Sequence, residues 1–232
     1  MKKLLFLNFC FITLLSCNST SSSLTTSSFT SSLSSISSSS ESNKSSNEIS
    51  SIEESSKETS YTKKIKIYLN PSVQVNNIYY CKTISEAESM NIVSKKIYEK
   101  LINEPQFEVY QNDHMLKLSD SVKEINSLNI DYHLALHTNA GGGSGSECYY
   151  YKNSTFAQLI LKNVTNVHSY PNRGIKNGSH LYELKNSKAK NNALIEFLFH
   201  DNKNESQFIK NNYDLLAQSI VNSFKQLIID EQ

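Results

Sequence analysis

Asp131-Tyr-His-Leu-Ala-Leu-His-Thr-Asn-Ala-Gly-Gly-Gly-Ser-Gly-Ser-Glu147 decides how this chain folds. A short apolar run ending on a polar residue reads as a buried strand. His137 stands at the end of that run, and a glycine-rich loop follows at once. Open α/β sheets bind ligands at the carboxyl ends of their strands, where the loops leave room. A histidine delivered there is a candidate metal ligand or proton carrier. An isolated histidine on an apolar strand is more often a satisfied core residue. The reading therefore turns on what else converges on His137.

Strand and helix patterns alternate on both sides of this segment. Ile65 to Leu69 alternates apolar and polar residues and ends at the turn Asn70-Pro71-Ser72. Ser85 to Leu101 carries Met90, Val93, Ile97 and Leu101 at helical spacing, with Ser85 as the N-cap. Phe107 to Tyr110 reads as a strand, Ser119 to Leu128 as a helix, and Glu147 to Tyr151 as a further strand. A helix capped by Ser154 runs to Val167, and strands are expected at Leu181 to Leu184 and Ala193 to Phe199. One long amphipathic helix, Gln207 to Ile229, closes the chain. This order predicts an α/β three-layer sandwich with a mostly parallel central sheet flanked by helices.

The N-terminal part reads as an address and a tether. Lys2 and Lys3 precede an apolar run from Leu4 to Leu15 that is too short for a stable membrane anchor. Leu14-Leu15-Ser16-Cys17 resembles the lipobox of bacterial lipoproteins, which implies cleavage before Cys17 and a lipid anchor on that residue. An ordinary signal peptide with an incidental cysteine is the alternative. Residues 18–63 are dominated by Ser and bury too little apolar surface to offset ordering entropy, so a disordered linker is expected. Residues 64–232 are the right size for one globular domain. The formal net charge is +1 and the basic residues are scattered, so no nucleic-acid partner is indicated. Outside the cytoplasm Cys81 and Cys148 could pair, but neither shows the spacing of a structural zinc site.

Polar groups that packing does not require stand at three strand ends: Asn70 to Gln74, His137-Thr138-Asn139, and Glu196 within Leu194 to Phe199. A buried carboxylate costs several kcal/mol or shifts its pKa upward unless it is paired. Glu196 is therefore either a structural ion-pair member or a catalytic group. Glu86 and Glu88 open the first helical pattern, where the helix dipole alone would favour them.

Taken together, the domain resembles the zinc-dependent N-acetylmuramoyl-L-alanine amidases of the Amidase_3 type. Four blocks carry the resemblance: Ile67-Tyr-Leu-Asn-Pro-Ser72; Glu86 with Met90-Asn91; Leu136-His-Thr-Asn-Ala140; and Ala193-Leu-Ile-Glu-Phe197 with Asp201-Asn202. Gly145 to Tyr150, Arg173 to Lys176 and Leu181 to Leu184 agree with it. The resemblance implies a peptidoglycan hydrolase that cuts the amide between N-acetylmuramic acid and L-alanine of the stem peptide. It implies Zn2+ with His137 and Glu86 as ligands, Glu196 as general base, and substrate contacts from Asn139, Arg173 and His200.

One departure is plain. Many members place a metal-binding histidine in the turn after the first strand, and here that turn reads Asn70-Pro71-Ser72-Val73-Gln74. An endolysin-like branch, with a Gln in this turn and Phe-His-Asp after the catalytic Glu, matches better at Gln74 and Phe199-His200-Asp201. Either Gln74 supplies an oxygen ligand or another group, His200 or Glu88, completes the site. His133 shares the strand face of His137 but lies about 13 Å back along the strand. Two further readings stay open: a degenerate cleft that only binds peptidoglycan, and a different zinc peptidase on the same fold.

Overall fold

The structure is a computed structural model that describes residues 63–230; the expected leader, Cys17 and the Ser-rich linker up to residue 62 lie outside the described residues. The chain runs β1 (Ile65–Pro71), α1 (Glu86–Leu101), β2 (Phe107–Gln111), α2 (Leu118–Ser127), β3 (Tyr132–Asn139), β4 (Ser146–Tyr151) and α3 (Thr155–Thr165). It continues through β5 (Asn172–Asn177), α4 (Tyr182–Asn186), β6 (Asn191–Phe199), α5 (Lys203–Asn211) and α6 (Tyr213–Asp230). The six strands form one sheet in the order β2-β1-β3-β6-β4-β5. Every neighbouring pair is parallel except β4 with β6. The expected α/β sandwich with a mostly parallel sheet is what the chain forms.

Strand alternation assigns the central residues to two unequal faces. Ile67 and Leu69, Leu134 and Leu136, and Ala193, Ile195 and Phe197 share the main core with Met90 and Val93 of α1, Ile160 of α3, and Ile220 and Phe224 of α6. The opposite face carries only small clusters, Tyr68 with Ile125 and Ala135 with Leu184 and Leu194, under α2 and α4. The polar residues Asn70, His133, His137, Asn192 and Glu196 alternate with the main-core residues and so fall on this thinner side. The site is polar because its face is thinly covered.

Four points of the sequence reading need correction. Leu181 to Leu184 is no strand: Leu181 precedes the short helix α4, which buries Glu183 and Leu184 and exposes Tyr182. Both edges of β6 are already taken by β3 and β4, so no central place in the sheet remained for it. The edge strand β5, which pairs only with β4, escaped notice because Ile175 is its one large apolar residue. The last helix is two, broken at Asn212 with φ −132° and ψ 32°. Ser85 caps α1 as expected, in a capping box completed by Glu88. Ser154 makes no cap bond at α3; Asn153 Oδ1 accepts the Thr155 N–H instead. Cys81 and Cys148 are both free thiols, Cys148 buried.

Gly145 marks where the loop after β3 turns back into β4. It adopts φ +97°, and a Cβ there would lie 2.1 Å from the Pro171 carbonyl oxygen. Gly141 also has positive φ (+106°), but nothing lies within 4 Å of its missing Cβ. Gly141→Ala is therefore expected to cost about 1 kcal/mol from backbone strain alone, and Gly145→Ala at least ~2 kcal/mol more because backbone must move. Urea unfolding midpoints of the two variants measure the difference, and equal midpoints would contradict the packing described here.

Candidate active site

Parallel pairing of β3 with β6 puts His137 and Glu196 in register on adjacent strands. Both point to the thin face, at the carboxyl end of β3. Glu86 is the first residue of α1, and because Glu88 completes the capping box, its own carboxylate is left to face β3. Glu86 is 1% exposed. Its Oε1 lies 2.9 Å from His137 Nδ1 and accepts from the Thr138 N–H at 3.3 Å. Asn77 Nδ2 donates to its Oε2 at 2.7 Å. The same Asn77 group donates to Gln74 Oε1 at 2.7 Å, while Gln74 Nε2 stands 3.5 Å from His137 Nδ1. The Gln74 turn is fixed to the sheet by the Ser72 N–H, which donates to the Leu136 carbonyl at 2.9 Å.

The other nitrogen of His137 faces a group the sequence reading passed over. Nε2 lies 3.5 Å from Glu183 Oε1, and Glu183 is 5% exposed. Asn70 Nδ2 donates to Glu183 Oε2 at 2.9 Å, and Asn112 Nδ2 in turn donates to Asn70 Oδ1 at 3.1 Å. Burial alone would neutralise these three groups. The hydrogen bonds of His137 with Glu183 and Glu86 nevertheless hold the imidazole well above its ordinary range and both carboxyls below theirs. The only sequence signal for Glu183 was a Glu flanked by apolar residues in Leu181-Tyr-Glu-Leu184.

Glu196 is different in kind. Its Oε2 is buried without a hydrogen-bond partner, and burial pushes its carboxyl up to about 7 despite the pull of the charged His137. It opens on a cavity of about 350 Å3 shared with His137, Glu183, Gln74, Leu116, Leu118 and Tyr182. A carboxylate that titrates near neutrality, is unpaired and lines a cavity can give and take a proton.

The remaining predicted residues are committed elsewhere. Asn139 Nδ2 donates to Glu147 Oε1 at 3.0 Å. Arg173 Nε binds Glu147 Oε2 at 2.6 Å while its guanidinium stands 5.0 Å above the Phe199 ring. Lys176 joins the same carboxylate at 2.5 Å. Although burial pushes the Glu147 carboxyl up, Lys176, Arg173 and Tyr149 hold it down at about 2. His200 is buried, stacked on Tyr79 at 5.6 Å, with its Nδ1 on Thr138, and it does not line the cavity. Glu88 is used up by the cap.

Whether a metal fits can be judged from the donors. Among the described residues no group of three or more His, Cys, Asp or Glu side chains is arranged to hold a metal ion. Two strong donors do share one spot, His137 Nδ1 and Glu86 Oε1. Gln74 is the third neighbour, through an amide whose oxygen and nitrogen are told apart only by their hydrogen bonds. As placed, its oxygen accepts from Asn77 and its NH2 faces His137, so it would offer that oxygen to a metal only by giving up the Asn77 hydrogen bond. The set fits a metal held by two strong ligands and a neutral third.

The raised Glu196 carboxyl has a consequence for stability. A group whose folded pKa lies above its unfolded value favours folding only while protonated, so its ionisation destabilises the protein as pH rises from about 4.5 to 7. Glu196→Gln removes that penalty. In metal-free protein the variant should match the parent near pH 4.5 and exceed it by on the order of 2–3 kcal/mol at pH 8. Urea titrations at the two pH values check this, and a pH-independent difference would contradict it.

With this geometry in view, the chain can be set beside known proteins. It is 29% identical over 104 residues to the N-acetylmuramoyl-L-alanine amidase CwlM of Bacillus licheniformis, covering 43% of this chain and 40% of that protein. Its fold matches the N-acetylmuramoyl-L-alanine amidase of Clostridium difficile 630 with a TM-score of 0.65 at 21% identity, over 74% of this chain and 100% of that one. It matches the catalytic domain of the CD27L endolysin, described as targeting Clostridia difficile, with a TM-score of 0.54 at 26% identity, over 69% and 96% of the two chains. The profile of the N-acetylmuramoyl-L-alanine amidase family, Amidase_3, matches residues 75–226, which takes in α1, the His137 strand and the Glu196 strand, and the chain belongs to that family.

Proposed function

We propose that this domain hydrolyses the amide bond between the lactyl group of N-acetylmuramic acid and the L-alanine of the peptidoglycan stem peptide. The observation that carries the reading is Glu196: a buried, unpaired carboxyl titrating near 7 beside the His137–Glu86 pair in an open cavity. Family membership and the likeness to the CD27L catalytic domain support it. Zinc held by His137 and Glu86, with Gln74 as the third donor, would polarise the scissile carbonyl and make water a better nucleophile at neutral pH. Glu196 takes a proton from the attacking water and passes it to the leaving nitrogen. Atoms balance as a simple hydrolysis: the lactyl carbon gains the water oxygen, and L-alanine leaves with a free amino group. Leu116, Leu118 and Tyr182 add apolar surface to the same cavity. We further propose an extracytoplasmic location, with the lipid on Cys17 anchoring the chain to the membrane and the Ser-rich segment letting the domain reach the wall. No helix among the described residues is long and apolar enough to cross a membrane.

One observation favours a second reading. Because no third His, Cys, Asp or Glu among the described residues completes the donor set, the cleft would hold peptidoglycan without cutting it. Zymography on purified sacculi separates the two. The hydrolase reading predicts clearing that a chelator removes and zinc restores, and a loss of at least ~100-fold in Glu196→Ala. Full clearing by Glu196→Ala would contradict the mechanism; binding to sacculi with no clearing and no zinc by elemental analysis would establish the binding module instead.

A further inference from the structure

Glu183 is an expensive residue to bury, and nothing in the packing of a five-residue helix requires it. Its neighbours explain its place. On the face of β3 that bears His137, the carboxylate lies between two imidazoles, with Oε1 3.5 Å from His137 Nε2 and Oε2 3.9 Å from His133 Nε2. His133 is wholly buried, and its Nδ1 lies 3.0 Å from Asn192 Oδ1. Asn192 Nδ2 donates to the Ala189 carbonyl at 2.8 Å, which fixes that amide with its oxygen toward His133. His133 therefore donates from Nδ1, and its Nε2 has no hydrogen-bond partner. Glu183 is left with two donors, Asn70 Nδ2 and His137 Nε2. Asn70 is itself held by Asn112, whose side chain is locked at both ends to the backbone of Leu116. The carboxylate is thus anchored from behind and directed at one ring nitrogen.

We propose that Glu183 is the positioning residue of this site: anchored 3.5 Å behind Nε2, it holds the His137 ring with Nδ1 toward Glu86 Oε1 and Gln74 and retains the Nε2 proton, so that Nδ1 is the nitrogen freed to ligate when a metal displaces its proton. A neutral imidazole carries one proton, so fixing it on Nε2 decides which nitrogen can ligate. The two nitrogens of one ring point apart, so a metal on Nδ1 next to Glu86 cannot also be reached by Glu183. Glu183 acts through His137 and not as a ligand. The inference rests on the reading of His137 as a metal ligand given above. It also accounts for the turn: where Gln74 supplies only a neutral donor, a carboxylate behind His137 raises the basicity of one of the two strong donors that remain.

The test uses untagged full-length chain, with Glu183→Gln, which keeps a neutral acceptor, and Glu183→Leu, which keeps volume and removes it. Zinc affinity is measured by chelator competition, and the His137 tautomer is read from ring 15N–1H correlations. Zinc affinity should fall roughly 10–100-fold in Glu183→Leu and less in Glu183→Gln. The zinc-loaded parent should show Nε2 protonated and Nδ1 ligated, and Glu183→Leu should show a mixed or exchanging ring. Unchanged zinc affinity and an unchanged tautomer in either folded variant would overturn the assignment. If Glu183→Leu fails to fold by circular dichroism, Glu183→Gln alone decides, with any measurable loss of affinity expected and none overturning it. If the parent binds no zinc, the metal reading has failed on its own. Glu183 is then judged in metal-free protein, where a hydrogen-bonded Nε2 proton present in the parent and absent from Glu183→Leu supports it, and one unchanged in Glu183→Leu overturns it.

Discussion

His137 is clamped between two buried carboxylates, and the rest of the site is arranged around that clamp. Glu86 holds Nδ1 at 2.9 Å and Glu183 stands 3.5 Å from Nε2. Each carboxylate would be costly to bury alone, and the imidazole between them offsets part of that cost for both. Every supporting element has a part in it. The capping box of α1 consumes Glu88 and frees Glu86. The β1 turn brings Gln74 and Asn77 over the front of the ring. The Asn112–Asn70 chain holds Glu183 from behind.

The clamp also explains why Glu196 differs from its neighbours. It lies beside the charged triad, in register with both His137 and Glu147. Yet Glu147 is paired with Arg173 and Lys176, and Glu86 and Glu183 share the single charge of His137. Among the described residues no cation pairs with Glu196 directly, and burial, with three other carboxylates nearby, outweighs the pull of His137 and makes its proton hard to lose. Pairs of like groups driven to different pKa values by their surroundings are how a protein divides acid and base roles within one cavity. Arg173 serves this division by holding Glu147 ionised.

Much of this was legible in the sequence, and the remainder was hidden for physical reasons. The strand carrying His137 and the strand carrying Glu196 announced themselves as apolar runs with one misfit polar residue each. Ser85, read as the N-cap, gave the start of α1, and the structure adds the capping box with Glu88. Glu183 was hidden because α4 exists only by tertiary contact: Leu184 packs on Ala135 and Leu194, and five residues carry no periodicity of their own. β5 was hidden because its order comes from pairing with β4 and not from apolar alternation. For His200, nearness to Glu196 in the chain gave no information on direction, and its ring turns to Tyr79 and Thr138.

The central claim is that the cavity beside His137 cleaves one particular bond. Mass spectrometry of purified sacculi after incubation with the zinc-loaded full-length chain tests it most directly. The account predicts stem peptides bearing a free L-alanine amino terminus, with glycan strands that keep their lactyl groups intact. Release of fragments cut within the stem peptide or within the glycan, with the lactyl–alanine bond whole, would contradict it.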